Sequence, residues 1–394
     1  MAAVPAPLRI GVVGAGSIGC YVGGRLLAAG AEVVLVGRPR LAEELARHGL
    51  TVQDFGGAAV TIEPARVTVA TELAAVAGCD VVLCCVKSAQ TAEVAAALAT
   101  VLRADAVVAS LQNGVRNPEV LRAHLGARPV VPAIVGFNVV SRGDGRFHRT
   151  TSGALMLEAC AAPAAARLGD ALRGAGLDVA VEAALAPHQW TKLLINLNNA
   201  VSALSGAPTR AILLSPGYRR VVAAVAREAL DVLHAAGIRP APMRGVPVRW
   251  MPTVLGLPTP LVRLVTRAQM KVDPEARSSM WEDLTRRRPT EVDYLNGEIV
   301  QLAARHGRRA PLNARVVALV HAAEAAAAGS PGLDAATLWA LVTAPASAAP
   351  TRPRRRRDGA ARRRPRRRRW RWPRRPAAIR NRASRRRRRC RCQR

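Results

Sequence analysis

Short apolar runs alternate with segments of helical periodicity along the first half of the chain. The runs Leu8–Val13 and Val33–Val36 are separated by a turn and by Cys20–Ala29, where apolar residues recur at helical spacing. A short apolar run bounded by turn residues predicts a buried strand, and a period near 3.6 residues predicts a helix. The chain is therefore predicted to begin with a strand, a tight turn, a helix and a second strand.

This alternation continues to about residue 181. The next segments are predicted as helices at Leu41–His48, Thr91–Leu102 and Pro163–Gly174, as strands at Asp80–Val86, Ala106–Leu111 and Leu177–Val181, and as a β-rich section at Leu50–Ile62. Short strands and turns between Pro129 and Leu157 indicate an antiparallel or mixed extension of the sheet. Strands that alternate with helices are typical of a parallel, doubly wound α/β sheet of the Rossmann type.

Strand patterns stop near Pro187, and only helical periodicity follows. The predicted helices are His188–Leu204, Gly217–Ala236, Pro258–Val272, Arg277–Arg287, Thr290–His306, Asn313–Ala327 and Ala335–Val342. The pattern predicts a sheet domain over residues 1–184 and an all-helical domain over residues 185–345, joined by a linker near residues 182–187. A chain of 394 residues is long enough for two domains with separate cores.

Composition changes this picture at the C-terminus. The formal net charge is +32, but 24 arginines and only one acidic residue, Asp358, lie between residues 351 and 394. Such a segment has little apolar surface to bury, so residues 346–394 are predicted to be a disordered, Arg-rich tail. The tail could bind polyanions non-specifically through charge and through Trp370 and Trp372, or it could be a low-complexity extension without function. No specific nucleic-acid partner is expected.

The cysteines and the apolar runs indicate a cytoplasmic protein. Seven cysteines show no metal-ligand spacing with histidines, and no metal site is expected. Cys84 and Cys85 are adjacent in a predicted strand, so their side chains point to opposite faces and do not bridge easily. The first apolar run is already a strand rather than a signal peptide, and no apolar stretch reaches the roughly 18 residues of a membrane helix.

A glycine-rich turn, Gly14-Ala15-Gly16-Ser17-Ile18-Gly19, joins the first strand to the first helix. In this context Gly14 makes the turn, Gly16 lets a pyrophosphate approach the backbone, and Gly19 lets the helix pack closely on the strand. The pyrophosphate then lies at a helix N-terminus, where free N–H groups favour an anion. A glycine-rich turn alone is weak evidence, but its position between a strand and a helix predicts a dinucleotide site.

The end of the second strand selects the dinucleotide. An acidic residue there binds the ribose 2′-hydroxyl of NAD, but the chain reads Val36-Gly37-Arg38. An arginine suits a 2′-phosphate, so the predicted cofactor is NADP(H). The alternative for Arg38 is a solvated surface cation.

Polar residues follow two further strands of the predicted sheet. Lys87 follows the strand Asp80–Val86, and Asn113 follows Ala106–Leu111. Ligands of parallel sheets bind at the carboxyl ends of the strands, so these two side chains are candidates for cofactor or substrate binding. The alternatives are a solvated lysine and an Asn-Gly turn.

The first helix of the second domain carries three polar residues on one predicted face. Lys192, Asn196 and Asn199 stand at positions i, i+4 and i+7 of an otherwise apolar helix. They are predicted to line a cleft, although a solvent-facing stripe is the alternative. Further polar clusters occur at residues 278–283 and 290–297, where Thr290 alone could be an ordinary helix cap.

Together these residues resemble the ketopantoate reductase (2-dehydropantoate 2-reductase) family from about Arg9 to Val342. The motifs that carry the resemblance are Gly14-x-Gly16-x-x-Gly19, Lys87, Gln112-Asn113-Gly114, Trp190-x-Lys192-Leu193-x-x-Asn196, Ser278-Ser279-Met280-x-x-Asp283 and Thr290-Glu291-x-Asp293. The resemblance implies a Rossmann domain followed by a helical domain of the 6-phosphogluconate dehydrogenase C-terminal type, with the active site between them. It also implies NADPH-dependent reduction of ketopantoate to pantoate, in pantothenate and coenzyme A biosynthesis.

The resemblance also implies roles for individual residues. Lys192 would be the general acid that protonates the carbonyl oxygen, because an ammonium stabilises a developing alkoxide and burial lowers its pKa. Glu291 would lie on the nicotinamide side and help to orient Lys192. Asn113 would contact both cofactor and substrate.

The other implied contacts divide between the two ligands. Arg38 and Lys87 would hold the phosphates and ribose of the cofactor, and Asn196 and Ser279 would donate hydrogen bonds to the substrate. Ala200 stands where well-known members have a second Asn, and Asn199 could replace that residue.

Two departures from the family leave the substrate open. One is Ala200, and the other is the segment Pro240–Asp273, which is longer than in compact members and could cap the cleft. The alternatives to ketopantoate are therefore another branched 2-keto acid or a non-catalytic NADP(H)-binding regulator. The sequence leaves the oligomeric state open, and a homodimer is one option.

Overall fold

A parallel sheet forms the first part of the chain. The computed structural model describes residues 7–54, 56–243, 245–266 and 277–344. It begins with β1 (Arg9–Val13), α1 (Ser17–Ala28) and β2 (Glu32–Val36), in the order that the sequence predicts. Four of the five residues of β1 are buried, because helices and loops cover both faces of the sheet.

Twelve strands occur in the described part of the chain. After β1 and β2 they are β3 (Leu50–Gln53), β4 (Ala59–Ile62), β5 (Thr68–Ala70), β6 (Val81–Cys84), β7 (Val107–Ser110), β8 (Val130–Val135), β9 (Val139–Gly143), β10 (Arg146–Arg149), β11 (Leu155–Glu158) and β12 (Val179–Glu182). Eight of them form the main sheet in the order β12-β11-β8-β7-β6-β1-β2-β5, and the other four form a smaller sheet in the order β4-β3-β10-β9. The doubly wound sheet predicted from the sequence is confirmed.

Most neighbouring strands of the main sheet are parallel. Only β11 runs antiparallel to its neighbour β8, while it pairs in parallel with β12. The predicted mixed extension is therefore present, with β9 and β10 diverted into the smaller sheet. In the centre of the main sheet, Cys84 is in register with Val13 on one side and with Ser110 on the other. The residues that follow Val13, Cys84 and Ser110 therefore lie close together, at the carboxyl ends of these three parallel strands.

The helices of the sheet part are α1, α2 (Pro39–His48), α3 (Thr91–Val101), α4 (Asn117–Leu125) and α5 (Pro163–Gly174). The sequence analysis missed α4 and the short strand β5. The dipeptide Asn117-Pro118 is a helix-start signal that points to α4, because proline is favoured in a first helical turn. The strand β5 has only three residues, which is too short for a periodicity to be recognised.

Helices alone make up the described chain after β12. They are α6 (Ala186–Asn196), α7 (Asn198–Ser205), α8 (Thr209–Leu214), α9 (Pro216–Ala235), α10 (Met251–Gly256), α11 (Thr259–Val265), α12 (Ser279–Thr285), α13 (Asn296–Arg305), α14 (Pro311–Ala326) and α15 (Ala335–Thr343), with short 3₁₀ helices at Val248–Trp250 and Val292–Tyr294. A helical second part is confirmed. The boundary at residue 184 stays a prediction, since the described residues on both sides of it belong to one compact unit.

Two long helices predicted from the sequence are each divided in the structure. The predicted helix His188–Leu204 is α6 and α7, which meet at Leu197, and the predicted helix Thr290–His306 is a 3₁₀ turn followed by α13. Periodicity did not reveal the breaks, because both junction residues, Leu197 and Leu295, are buried and apolar like their helical neighbours. Lys192 and Asn196 therefore share one helix, but Asn199 belongs to the next.

A buried arginine anchors the segment that follows α9. Arg219 is only 2% exposed, and its guanidinium donates to the carbonyl oxygens of Leu213, Leu255 and Leu257 and to the hydroxyl of Thr259. These bonds hold the ends of α8, α10 and α11 against α9, because a buried guanidinium is stable only when its donors are used. The predicted helix Pro258–Val272 is α11 as far as Val265, and residues 267–276 lie outside the described residues.

None of the helices in the part of the chain that the structure describes has the length and apolar character of a bilayer span. The predicted Arg-rich tail, with Trp370, Trp372, Cys390 and Cys392, lies outside the described residues. The five cysteines within the described residues are free thiols. Burial raises the pKa of Cys84 to about 12, so this thiol stays protonated and inert at neutral pH.

Candidate active site

The glycine-rich turn has the close packing that its sequence predicts. Gly14 has a φ of +88°, and a Cβ on it would lie 2.5 Å from the backbone nitrogen of Val86. A Cβ on Gly19 would lie 2.7 Å from the carbonyl oxygen of Gly14. The N–H groups of Gly14 and Ala15 donate to the carbonyl oxygen of Val36, which ties the turn to the end of β2. Glycine is therefore required at the first and third positions by contacts within the protein.

Gly16 differs from the other two glycines because no atom lies close to the position that a Cβ would occupy. A Cβ on it would meet nothing closer than 4.0 Å. It is exposed and directly precedes α1, whose first N–H groups have no partner within the helix. The open space and the free donors fit a dinucleotide pyrophosphate, which needs close approach to the backbone and an N-terminal dipole. The residues present therefore fit the pyrophosphate of a dinucleotide cofactor.

Arg38 lies at the start of α2, two residues beyond the end of β2. It is exposed, and no hydrogen-bond partner of its guanidinium occurs among the described residues. This placement beside the ribose end of the predicted dinucleotide site is compatible with a 2′-phosphate contact. Its role in cofactor choice stays a prediction.

Lys87 and Asn113 emerge side by side at the edge of the sheet. Each lies three residues beyond the registered pair Cys84 and Ser110. The ammonium of Lys87 contacts Asp283 at 2.8 Å and Glu291 at 3.6 Å. Lys87 is therefore no freely solvated cation. Burial acts to lower its pKa, but the two carboxylates outweigh burial and raise the pKa above its ordinary value.

Glu291 receives hydrogen bonds from the loops at the ends of β6 and β7. Its Oε1 accepts from the N–H and the hydroxyl of Ser88 at 3.1 and 3.0 Å, and its Oε2 accepts from Asn113 Nδ2 at 3.3 Å. Burial acts to raise the pKa of Glu291, but the Lys87 charge and the donors on Ser88 and Asn113 outweigh it. The net result is a lowered pKa, so Glu291 is an anion at neutral pH.

A second layer of hydrogen bonds holds these loops. Asn117, at the start of α4, donates to the hydroxyl of Ser88 at 3.0 Å and to the carbonyl oxygen of Asn113 at 2.6 Å, and accepts from Thr91 at 2.8 Å. Gln112 donates to Thr91 at 2.7 Å. The side chains of Asn117, Thr91 and Gln112 are buried, so their rotamers are set by the bonds they make.

Lys192 lies on α6 and is influenced by the charge of Glu291. Its ammonium donates to the carbonyl oxygen of Val135, at the end of β8, over 2.7 Å. Burial lowers the pKa of Lys192 to about 8, although the charge of Glu291 acts in the opposite direction. An ammonium with a pKa near neutrality, held by a single backbone acceptor, is suited to give a proton to a bound ligand.

The predicted substrate residues lie on three different elements. Asn196 ends α6, Asn199 is in the first turn of α7, and Ser279 begins α12. Within the described chain the side chains of Asn196 and Asn199 have no hydrogen-bond partners, and the backbone carbonyl of Asn199 accepts from Ser278 at 3.0 Å. The N-cap of α12 is Ser278, whose hydroxyl oxygen accepts a hydrogen bond from the N–H of Trp281. Ser279 is exposed and does not cap the helix, so its hydroxyl is available to bind a ligand.

Ala200 is fully buried in the core of the helical part. The departure noted at this position therefore opens no space in the cleft by itself. A cavity of about 300 Å³ lies elsewhere, between α4, α6 and α13, and is lined by Arg116, Gln189 and Trp190 among others. None of the predicted site residues lines this cavity.

Four contributors to the site received no role in the sequence analysis: Ser88, Asn117, Asp283 and the carbonyl of Val135. Asp283 had a signal, because it stands on the buried face of α12 with Met280 and Leu284, where a carboxylate needs a partner. Ser88 and Asn117 carry ordinary turn and cap signals. A backbone carbonyl carries no side-chain signal at all.

Comparison with known proteins identifies the family. The family model described as ketopantoate reductase PanE/ApbA matches residues 10–161, and the model for the C-terminal part of the same family matches residues 184–324. Together they cover more than half of the chain. The chain belongs to the ketopantoate reductase family.

The similarity to individual members of the ketopantoate reductase family covers most of the chain. A 2-dehydropantoate 2-reductase from Mycobacterium tuberculosis is 32% identical over 330 residues, which are 82% of this chain and 99% of the relative. One from Halobacterium salinarum is 31% identical over 326 residues, covering 80% of this chain and 99% of the relative.

Solved structures agree with this fold. A PanE/ApbA family ketopantoate reductase from Ralstonia eutropha is 30% identical, with a TM-score of 0.68 over 81% of this chain and 99% of that one. A D-mandelate dehydrogenase in complex with NADH has a TM-score of 0.67 over 81% of this chain and 99% of that one, and at 21% identity it shows the fold alone.

Membership of the ketopantoate reductase family confirms that the chain is an oxidoreductase and that it uses a nicotinamide cofactor. The roles of the individual site residues stay predictions.

Two alanine variants separate the structural glycine from the cofactor glycine. We expect Gly14→Ala to lower the free energy of unfolding by ~2–4 kcal/mol, because of the positive φ and the contact with Val86. We expect Gly16→Ala to fold normally but to bind NADPH at least about tenfold more weakly, because the methyl group occupies the open space. Thermal unfolding and calorimetric titration measure the two effects. Equal NADPH affinity of Gly16→Ala and wild type would exclude the proposed pyrophosphate position.

Proposed function

We propose that this chain catalyses NADPH-dependent reduction of 2-dehydropantoate (ketopantoate) to pantoate in pantothenate and coenzyme A biosynthesis. The observation that carries the proposal is Lys192, a buried ammonium of lowered pKa on which the charge of Glu291 acts, in a chain that belongs to the ketopantoate reductase family. The names of the M. tuberculosis and H. salinarum relatives support the substrate.

Lys192 is the proton donor in this proposal. Bound NADPH would supply the hydride for C2 of the keto acid, and the electron pair of the C=O bond would move to the oxygen. The Lys192 ammonium stabilises the negative charge on this oxygen and then transfers its proton, and water reprotonates the amine. Glu291 stays ionised and, through its charge, favours the protonated form of Lys192.

The cofactor residues in this proposal are the turn Gly14–Gly19, Arg38, Lys87, Asn113 and Glu291. An ammonium has three N–H donors. Two donors of Lys87 face Asp283 and Glu291, which leaves the third for a ribose or phosphate oxygen. The Lys87 side chain is 43% exposed, which makes that third donor accessible.

The substrate residues in this proposal are Asn113, Asn196, Asn199 and Ser279. The amides of Asn196 and Asn199 have no partner among the described residues, so both are available to donate to the carboxylate and hydroxyl oxygens of the keto acid. Ala200 has no part, because it is buried in the helical core. We also propose a cytoplasmic location, which the five free thiols support.

The second candidate function is reduction of another branched 2-keto acid by the same hydride and proton transfer, with Ala200 buried away from the site. The third candidate function is a non-catalytic NADP(H)-binding regulator, which would not need Lys192 as a proton donor.

The substrate is tested by NADPH oxidation at 340 nm with the full-length protein. We expect kcat/KM for ketopantoate to exceed that for other 2-keto acids by at least about a hundredfold, because a site built to hydrogen-bond a hydroxyl discriminates against analogues that lack it. Pyruvate and 2-ketoisovalerate are the informative comparisons, since neither has the hydroxyl. A preference for 2-ketoisovalerate would favour the second candidate, and NADPH binding without any turnover would favour the regulator.

The general acid is tested by Lys192→Ala. We expect kcat to fall at least about a hundredfold with little change in the Kd for NADPH, because the variant removes the proton donor and leaves the glycine turn intact. In the wild type, kcat/KM for reduction should fall in proportion to the deprotonated fraction of Lys192 above pH 8, since the donor is lost as pH rises through its pKa of about 8. Near-native turnover of the alanine variant would refute the assignment.

Cofactor choice is tested by Arg38→Ala, with Arg40→Ala as the matched control. Both arginines are exposed and lie at the start of α2. We expect Arg38→Ala to raise KM for NADPH about tenfold or more without changing KM for NADH, because a charge-assisted bond to the 2′-phosphate is lost. Arg40→Ala should change neither constant. A loss of NADPH preference in both variants would point to general surface charge instead.

A further inference from the structure

The turn that carries Glu291 is bonded to α14 on both sides of that residue. On one side, the N–H of Thr290 donates to Glu324 Oε1 at 2.7 Å. On the other, His321 Nε2 lies 3.0 Å from Asp293 Oδ1, while its Nδ1 lies 2.7 Å from Glu324 Oε2. One helix therefore holds the residue before Glu291 and the residue two positions after it.

The proton count of the histidine ring decides how these bonds can form. Both ring nitrogens of His321 face carboxylate oxygens. An ionised carboxylate can accept a hydrogen bond but cannot donate one. A neutral imidazole has one N–H, and only the imidazolium has two. Both contacts can therefore be hydrogen bonds only while His321 carries its second proton.

We propose that the His321 imidazolium is a positioning residue, which holds the turn from Thr290 to Asp293 and thereby keeps the Glu291 carboxylate against Ser88 and Asn113. Loss of the proton breaks one of the two bonds and loosens the turn. The inference rests on the proposed role of Glu291 in the reaction, since His321 itself touches neither substrate nor cofactor.

The charges around His321 support this assignment. The charged groups that act on it within the described chain are Glu324, on the same helix, and Asp293, on the facing turn. The hydrogen bond to Glu324 is the largest influence on its pKa, and with Asp293 it outweighs burial and raises the pKa above the ordinary value. Arg287 and Arg288 line a cavity of about 180 Å³ beside Glu324.

The direction of the pH dependence follows from the raised pKa. The stabilisation is complete below the ordinary histidine value of about 6.5 and is lost as pH rises through the raised value. The side chains of His321 and Asp293 are about half exposed, so solvent weakens their contact. We therefore expect a modest effect on kcat/KM, of about two- to fivefold.

Two substitutions separate charge from shape. His321→Lys keeps a cation with several donors at all pH values tested, whereas His321→Gln removes the cation. His306→Gln is the control, because His306 is an exposed histidine at the end of the neighbouring α13. The full-length proteins are compared between pH 5.5 and 9 in three measurements: kcat/KM for ketopantoate, NMR titration of the His321 ring, and Tm.

We expect the wild type to match His321→Lys at pH 5.5 and to fall two- to fivefold below it at pH 9, where it should match His321→Gln. Ratios between variants cancel the titration of Lys192, which all of them share. The His321 ring should titrate above its ordinary value, and the Tm difference between wild type and His321→Gln should shrink as pH rises. The His306→Gln control should follow the wild type throughout.

A pH-independent ratio between wild type and His321→Lys would overturn the inference, as would titration of the His321 ring at the ordinary value. If no variant turned over ketopantoate, the proposed function would fail instead. The ring titration and the Tm difference would then still decide whether His321 holds the turn.

Discussion

The buried carboxylate of Glu291 is the interaction on which the site depends. It belongs to the helical part of the chain, but its donors, Ser88 and Asn113, belong to loops of the sheet. A buried carboxylate is costly unless it is bonded and paired, so the two parts can bury it only together. Lys87 adds a cation that also contacts Asp283 on α12, so three charged side chains from the two parts of the chain stabilise one another at the candidate site.

The same arrangement explains the opposite pKa shifts of the two lysines. Lys87 has two carboxylates beside it, which raise its pKa despite burial. Lys192 has a neutral carbonyl as its partner and only the more distant influence of Glu291, so burial prevails and its pKa falls to about 8. One lysine is therefore suited to remain a permanent cation, and the other to lose and regain a proton.

Support for the site extends well beyond the groups that would touch a ligand. Asn117 fixes the loops of Ser88 and Asn113 from the sheet side, and α14 holds the Glu291 turn from the helical side. Positions of a few tenths of an ångström matter for hydride and proton transfer, and side chains locked by buried hydrogen bonds provide that precision.

The sequence by itself determined the alternation of strands and helices, the glycine turn and the order of the family motifs, because these are local patterns or matches of residue type. It did not determine the break at Leu197, the pairing of Lys87 with Asp283 or the carbonyl of Val135 beside Lys192. Only the tertiary structure decided these. A helix break among apolar residues leaves no periodic signal in the sequence. The pairing of Lys87 with Asp283 joins residues 196 positions apart, and the bond from Lys192 to Val135 joins residues 57 positions apart, so both depend on how distant segments pack.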